Sequence, residues 1–196
     1  MKKLSNAGST LVEMLVVIVV LAILGVLVVT IFTRTLRGTN KTQIISSIKQ
    51  NGQSILETMN NSIRNADNIF CISQDHHTIV VVKNGLYTRY RFVIDSSGLS
   101  NGKVSSDNPQ QLGVESSIFM SNICNSADLL VAPQTLSDTN TQTGVNLISG
   151  SFTKTAQAGF KDIITIEFVL RSGVQAPAAV AGQIEPVTFK TTIEPR

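Results

Sequence analysis

The apolar run at residues 11–32 (LVEMLVVIVVLAILGVLVVTIF) constrains this chain more than any other segment. A helix of this length measures about 33 Å, which is enough to cross a hydrocarbon layer about 30 Å thick. A secretory signal peptide has a shorter apolar run, of about 7–15 residues, and ends in small residues. Here Arg34 and Arg37 follow a longer run. The sequence therefore predicts a membrane-spanning helix rather than a cleaved secretory signal.

Glu13 is the only charged residue within the apolar run. A carboxylate in a membrane helix costs roughly 2.5–3.5 kcal/mol at the bilayer centre and less near the interface. Two explanations are open at this point. The carboxylate either lies in the headgroup region, or it meets a cationic partner in apolar surroundings. A free α-amino group of a neighbouring copy would be such a partner.

The low charge content of the chain comes largely from this N-terminal segment. Charged residues make up 15% of the 196 residues, against roughly 25% in ordinary soluble proteins. The formal net charge is +3, but without Lys2 and Lys3 the 16 basic residues become 14 against 13 acidic ones, or +1. Because there is also no basic stripe with interleaved aromatic residues, the sequence argues against direct nucleic-acid binding.

A second helical pattern follows the apolar run. Apolar residues recur on one face, within an arc of about 120°. They are Ile44, Ile45, Ile48, Ile55, Leu56, Met59, Ile63 and Ala66. We therefore predict one helix from about Thr10 to Ala66, roughly 85 Å long, in which Gly38 and Gly52 are weak points that each cost about 1 kcal/mol relative to alanine. The alternative is a core helix joined to a separate anchor by a linker at residues 38–40.

The rest of the chain shows strand patterns. The clearest is a hairpin in which Asn84 and Gly85 separate residues 78–83 from residues 86–94, because Asn-Gly is the preferred pair for a two-residue turn. Residues 95–98 form the next predicted turn. Further strands are predicted at 111–123, 145–153, 162–170 and 186–193. These patterns predict an α+β fold in which a long N-terminal helix covers one face of an antiparallel β-sheet.

The two cysteines, Cys71 and Cys124, are too few for a disulfide scaffold and lack the spacing of a metal site. They allow one disulfide in an oxidising compartment. Closing a loop of about 50 residues would stabilise the folded chain by roughly 2–4 kcal/mol. Two separate buried thiols are the alternative.

No catalytic or metal-binding set is recognisable. His76 and His77 are adjacent, so on a strand they would point to opposite faces, and a polar loop is the simpler explanation. Asp95 and Asp107 lack the spacing of a calcium loop and fit turns instead. We therefore expect a protein that is not an enzyme and that holds neither a metal nor a cofactor.

The residues around the start of the apolar run form a distinctive leader. Lys2 and Lys3 are followed by Gly8, and Glu13 comes five residues after that glycine. This arrangement resembles the class III leader of type IV prepilins and type II secretion pseudopilins. The resemblance implies that a prepilin peptidase cleaves between Gly8 and Ser9, that Ser9 becomes the N-terminal residue open to N-methylation, and that Glu13 acts in assembly. Ser9 stands where the family usually has phenylalanine.

Three loose patterns resemble the J-type minor pseudopilins and the W-type minor pilins within that family. They are Leu56 with residues 63–66 (IRNA), residues 90–92 (YRF) with 98–99 (GL), and residues 189–193 (FKTTI). The resemblance implies a pilin-like fold in four segments. These are the leader at 1–8, the transmembrane half of the helix at 9–33, its amphipathic half at 34–66, and a β-rich exported head at 67–196.

The resemblance implies a minor pilin or pseudopilin, a structural subunit that primes or caps a type IV pilus-like or type II secretion filament. Its expected partners are other pilin or pseudopilin subunits, the prepilin peptidase, the inner-membrane assembly platform and the membrane. The leader would be cytoplasmic and the head exported, with one crossing of the cytoplasmic membrane before entry into a cell-surface or periplasmic filament. The alternative is a membrane-tethered exported binding protein or enzyme with an uncleaved anchor.

Overall fold

The computed structural model describes residues 11–109, 122–125, 133–156, 162–177, 182 and 184–195. The predicted leader at 1–8 and Ser9 lie outside these residues. The chain forms two compact units, Met1–Asn40 and Lys41–Arg196. Within the described residues, one helix is followed along the chain by eight strands.

Helix α1 (Leu11–Arg64) runs without a break. It includes residues 38–40 as regular helix, so no linker interrupts it there. Arg64 lies in its last turn, where a cation interacts favourably with the negative end of the helix dipole. The helix therefore ends close to the predicted Ala66.

Within the Lys41–Arg196 unit, α1 buries the predicted apolar face. Its buried residues are Ile48, Gly52, Ile55, Met59 and Ile63. Gly52 is not a weak point, because the ring of Phe189 lies against it and a Cβ atom at residue 52 would overlap the ring carbons. The glycine is required here by close packing rather than tolerated as a defect.

The first sheet has five antiparallel strands in sequential order. They are β1 (Asn68–Ile72), β2 (Thr78–Lys83), β3 (Leu86–Val93), β4 (Lys103–Asp107) and β5 (Gln134–Thr135). The predicted hairpin is confirmed, with β2 and β3 joined by Asn84 and Gly85. The φ angles of these two residues are 50° and 76°, in the left-handed region that asparagine and glycine adopt most readily.

The second sheet has three antiparallel strands, also in sequential order. They are β6 (Val145–Thr155), β7 (Ile163–Ser172) and β8 (Val187–Ile193). These bounds agree with the predicted strands to within two residues. Buried and partly exposed residues alternate along most of β7, as expected for a strand with one face on the core.

Stacked aromatic rings connect the two sheets to the helix. Phe92 of β3 stacks on Phe152 of β6 with the ring centroids 4.5 Å apart, and it lies 5.8 Å from Phe168 of β7. Phe168 in turn stacks on Phe189 of β8 at 5.3 Å, and Phe189 contacts α1 at Gly52. One continuous core therefore holds the C-terminal part of α1 and both sheets together.

The predicted α+β class, with antiparallel strands and one long helix, is confirmed. The strands form two sheets rather than the single sheet expected. Isolated backbone hydrogen bonds connect them, such as Leu147 N to Gly102 O at 3.0 Å and Phe152 N to His76 O at 2.8 Å. The strand predicted at 111–123 falls mostly outside the described residues, and its described end belongs to a turn at 122–125.

Candidate functional site

The apolar run is exposed along its whole length in the isolated chain. Its large apolar side chains are between 46% (Val17) and 83% (Leu11) exposed. By length and composition, α1 qualifies to cross a membrane. The hydroxyls of Thr30 and Thr33 donate to Val26 O and Val29 O at 2.8 Å, which satisfies these polar groups within the helix. Such a surface needs apolar surroundings from outside the chain, either lipid or neighbouring helices.

Glu13 lies in the first described turn of α1. Gly8 and Ser9, the residues of the predicted cleavage site, lie outside the described residues. Cleavage after Gly8, methylation of Ser9 and the role of Glu13 in assembly therefore stay predictions.

In the head, Cys71 and Cys124 form a disulfide with their Cα atoms 6.3 Å apart. Cys71 belongs to β1, and Cys124 belongs to the turn at 122–125. The bond therefore attaches this turn to the edge strand of the first sheet. That the protein itself carries this bond stays a prediction, which chemical analysis of the thiols would check.

A buried ion pair lies close to the disulfide. Arg89 Nε donates to Asp107 Oδ1 at 2.9 Å, and Arg89 Nη2 donates to Asp107 Oδ2 at 2.6 Å. Arg89 Nη1 donates to the carbonyl oxygen of Ile123 at 3.0 Å. The side chains of the pair are 0% and 1% exposed. The turn expected at Asp107 is wrong, because this residue ends β4 and accepts a bidentate pair of hydrogen bonds from Arg89.

Sequence reasoning missed this pair because Arg89 alternates with aromatic residues along β3. Tyr90 and Phe92 face the core, so Arg89 lies on the opposite face of the strand, where a charged residue is ordinarily solvated. That face is instead covered at this point by the turn at 122–125. The only sequence signal is that Arg89 and Arg91 alternate with buried residues along β3. This pattern does not identify the residue that pairs with Arg89.

The adjacent histidines lie in the turn between β1 and β2, in agreement with the polar-loop explanation. His76 has a φ angle of 60°, and its Nδ1 is 3.2 Å from Phe152 O. The ring of His77 is 3.5 Å from Asp75 Oδ2. Asp75 also accepts a hydrogen bond of 2.5 Å from Ser73, which is the main reason why its pKa lies below the usual value. Among the described residues, no group of three His, Cys, Asp or Glu could hold a metal.

Asp95 organises the turn between β3 and β4, as predicted. Its carboxylate accepts hydrogen bonds from Ser97 N at 2.8 Å and Ser100 N at 2.9 Å, and from both serine hydroxyls. The hydroxyl of Ser100, followed by that of Ser97, holds the pKa of Asp95 well below its usual range. Gly98 in the same turn has a φ angle of 72°. This carboxylate therefore has a structural role.

One cleft of about 620 Å³ lies beside the disulfide, lined by His77, Arg91, Lys103 and Cys124 among others. Arg91 Nε donates to Thr78 Oγ1 at 3.0 Å. In the described part of the chain, no serine, threonine or thiol hydrogen-bonds His77. The described residues of the cleft therefore include no paired nucleophile and base of the kind that acyl transfer requires.

Residues 3–29 match the family described as the prokaryotic N-terminal methylation motif. The match supports a type IV pilin-like protein. It covers the leader and most of the apolar run, and it points to a structural subunit anchored in a membrane. No curated protein and no solved structure matches the chain.

Proposed function

We propose that this chain is a minor pilin or pseudopilin, a non-enzymatic subunit that primes or caps a type IV pilus-like or type II secretion filament. The observation that carries the proposal is the match at residues 3–29 on a helix whose apolar run is wholly exposed. Under this proposal a leader would be removed within the matched segment, and the exposed run is the surface that lipid would cover before assembly and neighbouring helices would cover after it.

Glu13 would take part in docking between subunits. Cleavage after Gly8 gives Ser9 a free α-amino group, and Glu13 of a neighbouring subunit can pair with this cation. Both groups would lie in apolar surroundings, where removing one partner of a buried pair costs about 3–5 kcal/mol. The pair therefore favours entry of correctly processed subunits into the filament.

The loop end of the head supports a minor rather than a repeating subunit. Three separate loops are bonded to one another there. Asn101 Nδ2 donates to Asn140 O at 2.8 Å, Val174 N donates to Asn101 Oδ1 at 2.9 Å, and Gln175 N donates to Thr141 O at 2.8 Å. Such an irregular, internally fixed surface fits a tip position with unlike partners, because a shaft subunit must match every neighbour along the helix.

The deciding experiment has two parts on one preparation. N-terminal sequencing of the chain from sheared filaments and from membranes should give Ser9 as the first residue. Quantitative mass spectrometry of the same filaments should find this chain as a small fraction of the total subunits. Its deletion should reduce the number of filaments without changing their bulk composition.

Each outcome has a defined meaning. A mature chain that retains Met1 contradicts the pilin class and supports a tethered binding protein or enzyme. A chain that starts at Ser9 but forms most of the filament mass keeps the pilin class and contradicts the minor role. In the proposed pathway the prepilin peptidase and an inner-membrane assembly platform act on the chain before the head enters a cell-surface or periplasmic filament.

A further inference from the structure

Four residues form one row across four strands of the first sheet. The backbone register places Cys71 of β1 opposite Val80 of β2, Val80 opposite Arg89 of β3, and Arg89 opposite Asp107 of β4. Residues directly opposite one another on antiparallel strands carry their side chains on the same face. A disulfide cysteine, an apolar residue and a buried ion pair therefore lie side by side in one line.

The turn at 122–125 lies along this row and contacts it at three points. Cys124 is bonded to Cys71, Ile123 is buried with Val80, and the carbonyl oxygen of Ile123 accepts a hydrogen bond from Arg89. The hydrogen bond and the disulfide hold adjacent residues of the turn. Whatever fixes the position of Ile123 therefore also limits where the sulfur of Cys124 can be.

The ion pair needs an explanation beyond stability of the sheet. Taking two charges out of water is expensive, and apolar residues of similar size often stabilise a fold as well or better. Arg89 uses the two ends of its guanidinium differently. Nε and Nη2 bind Asp107, while Nη1 reaches the backbone of the turn. Asp107 thereby fixes the guanidinium plane, and the fixed plane presents a charged donor to Ile123.

We propose that the Arg89–Asp107 pair is a template that holds the reduced turn in place, so that Cys124 closes onto Cys71 within a head that is already folded. Arg89 is a positioning residue for this reaction. The coupling is reciprocal: if the hydrogen bond from Arg89 to Ile123 favours the disulfide, the disulfide favours that hydrogen bond by the same free energy. The inference concerns maturation of the head and does not depend on the role of the chain in a filament.

The reaction is ordinary thiol–disulfide exchange with glutathione disulfide as the oxidant. One cysteine thiolate attacks glutathione disulfide and releases one glutathione thiolate. The second cysteine thiolate attacks the resulting mixed disulfide and releases the other glutathione. Two protein thiols are oxidised, one glutathione disulfide is reduced to two thiols, and two protons pass to the solvent or to the released thiolates. The template changes the equilibrium only through the distance between the two cysteines in the reduced state.

The test uses the full-length chain in detergent, equilibrated with reduced and oxidised glutathione and then alkylated to trap free thiols. The fraction oxidised gives the effective concentration of one cysteine thiol at the other, which measures how readily the disulfide forms. In the main variant, Arg89→Met with Asp107→Leu, apolar residues replace both members of the pair, so neither of these two charges is left without the other. The effective concentration should fall about tenfold or more, as expected for loss of a charge-assisted hydrogen bond. The matched control is Lys190→Met with Glu167→Leu, which removes an exposed ion pair of 2.7 Å on the second sheet and should leave the effective concentration unchanged.

A purely structural role for the pair gives a different result. In that case the main variant destabilises the oxidised head and a Cys71→Ser/Cys124→Ser head by the same amount, and the effective concentration stays at the wild-type value. That outcome overturns the proposal. If the main variant does not fold, Arg89→Lys decides. It keeps a charge beside Asp107 without the planar fork, and a wild-type effective concentration in this variant also overturns the proposal.

Discussion

Replacing Gly52 by alanine tests how closely α1 packs against the second sheet. In an exposed helix, alanine in place of glycine stabilises by about 1 kcal/mol. At this position a Cβ atom would overlap the ring of Phe189. The ring cannot move freely, because it is 8% exposed and stacks on Phe168 at 5.3 Å.

The size of the effect follows from these opposing contributions. Overpacking a well-filled core typically costs about 1–3 kcal/mol, and disturbing the stacked rings would add roughly 0.5–1.5 kcal/mol. After the helix-propensity gain of about 1 kcal/mol, we expect Gly52→Ala to destabilise the head by about 0.5–3.5 kcal/mol. Thermal unfolding of the full-length chain in detergent, followed by circular dichroism, should show a decrease of about 2–4 °C per kcal/mol.

Two further variants control this experiment. Gly38→Ala makes the same chemical change in the same helix, but nothing lies within 4 Å of the added Cβ atom, so the chain should be unchanged or slightly more stable. Phe189→Leu removes part of the ring, and in that background Gly52→Ala should lose most of its cost. The reasoning is refuted if Gly52→Ala stabilises the wild-type head, or if its cost is the same with Phe189→Leu.

Three other predictions concern processing, assembly and pH. Gly8→Leu should leave full-length precursor in the membrane, because a prepilin peptidase site must accept a residue without a side chain there. Immunoblots should show the precursor as a larger band, and normal maturation would contradict the resemblance. Glu13→Ala should still be inserted and cleaved yet enter filaments poorly, and incorporation equal to wild type in sheared filaments would exclude a role in docking. The depressed pKa of Asp95 means that its hydrogen bonds stabilise the head above pH about 4 and lose this effect as the pH falls through the folded-state pKa. Asp95→Asn should therefore lower the unfolding temperature near neutral pH and less so near pH 3, whereas a pH-independent difference would show that the charge does not matter.

Elements with a strong local pattern could be predicted from the sequence. The apolar run defines its own helix, since a segment of that length and composition has few other stable forms in lipid. Asn84 and Gly85 determine the β2–β3 turn through their tolerance of positive φ angles. The alternation along β7 identifies its buried face in the same way. In each case the decisive information lies within one continuous segment of the chain.

Features that depend on distant residues required the tertiary structure. Strands β1, β4 and β5 are short or polar, and their pairing depends on the strands beside them. Asp107 resembles a turn residue until β4 is placed beside Arg89, 18 positions earlier in the chain.

Gly52 shows the same limit most directly. Helix propensity alone predicts that this glycine weakens the helix. In the folded chain, however, β8 places the ring of Phe189 against residue 52, where there is no room for a side chain. The sequence determined the long helix, the hairpin and the antiparallel class, because these follow from local backbone and solvation preferences. Only the tertiary structure decided the division into two sheets, the partner of Arg89 and the packing role of Gly52, because burial and close contact depend on the whole chain.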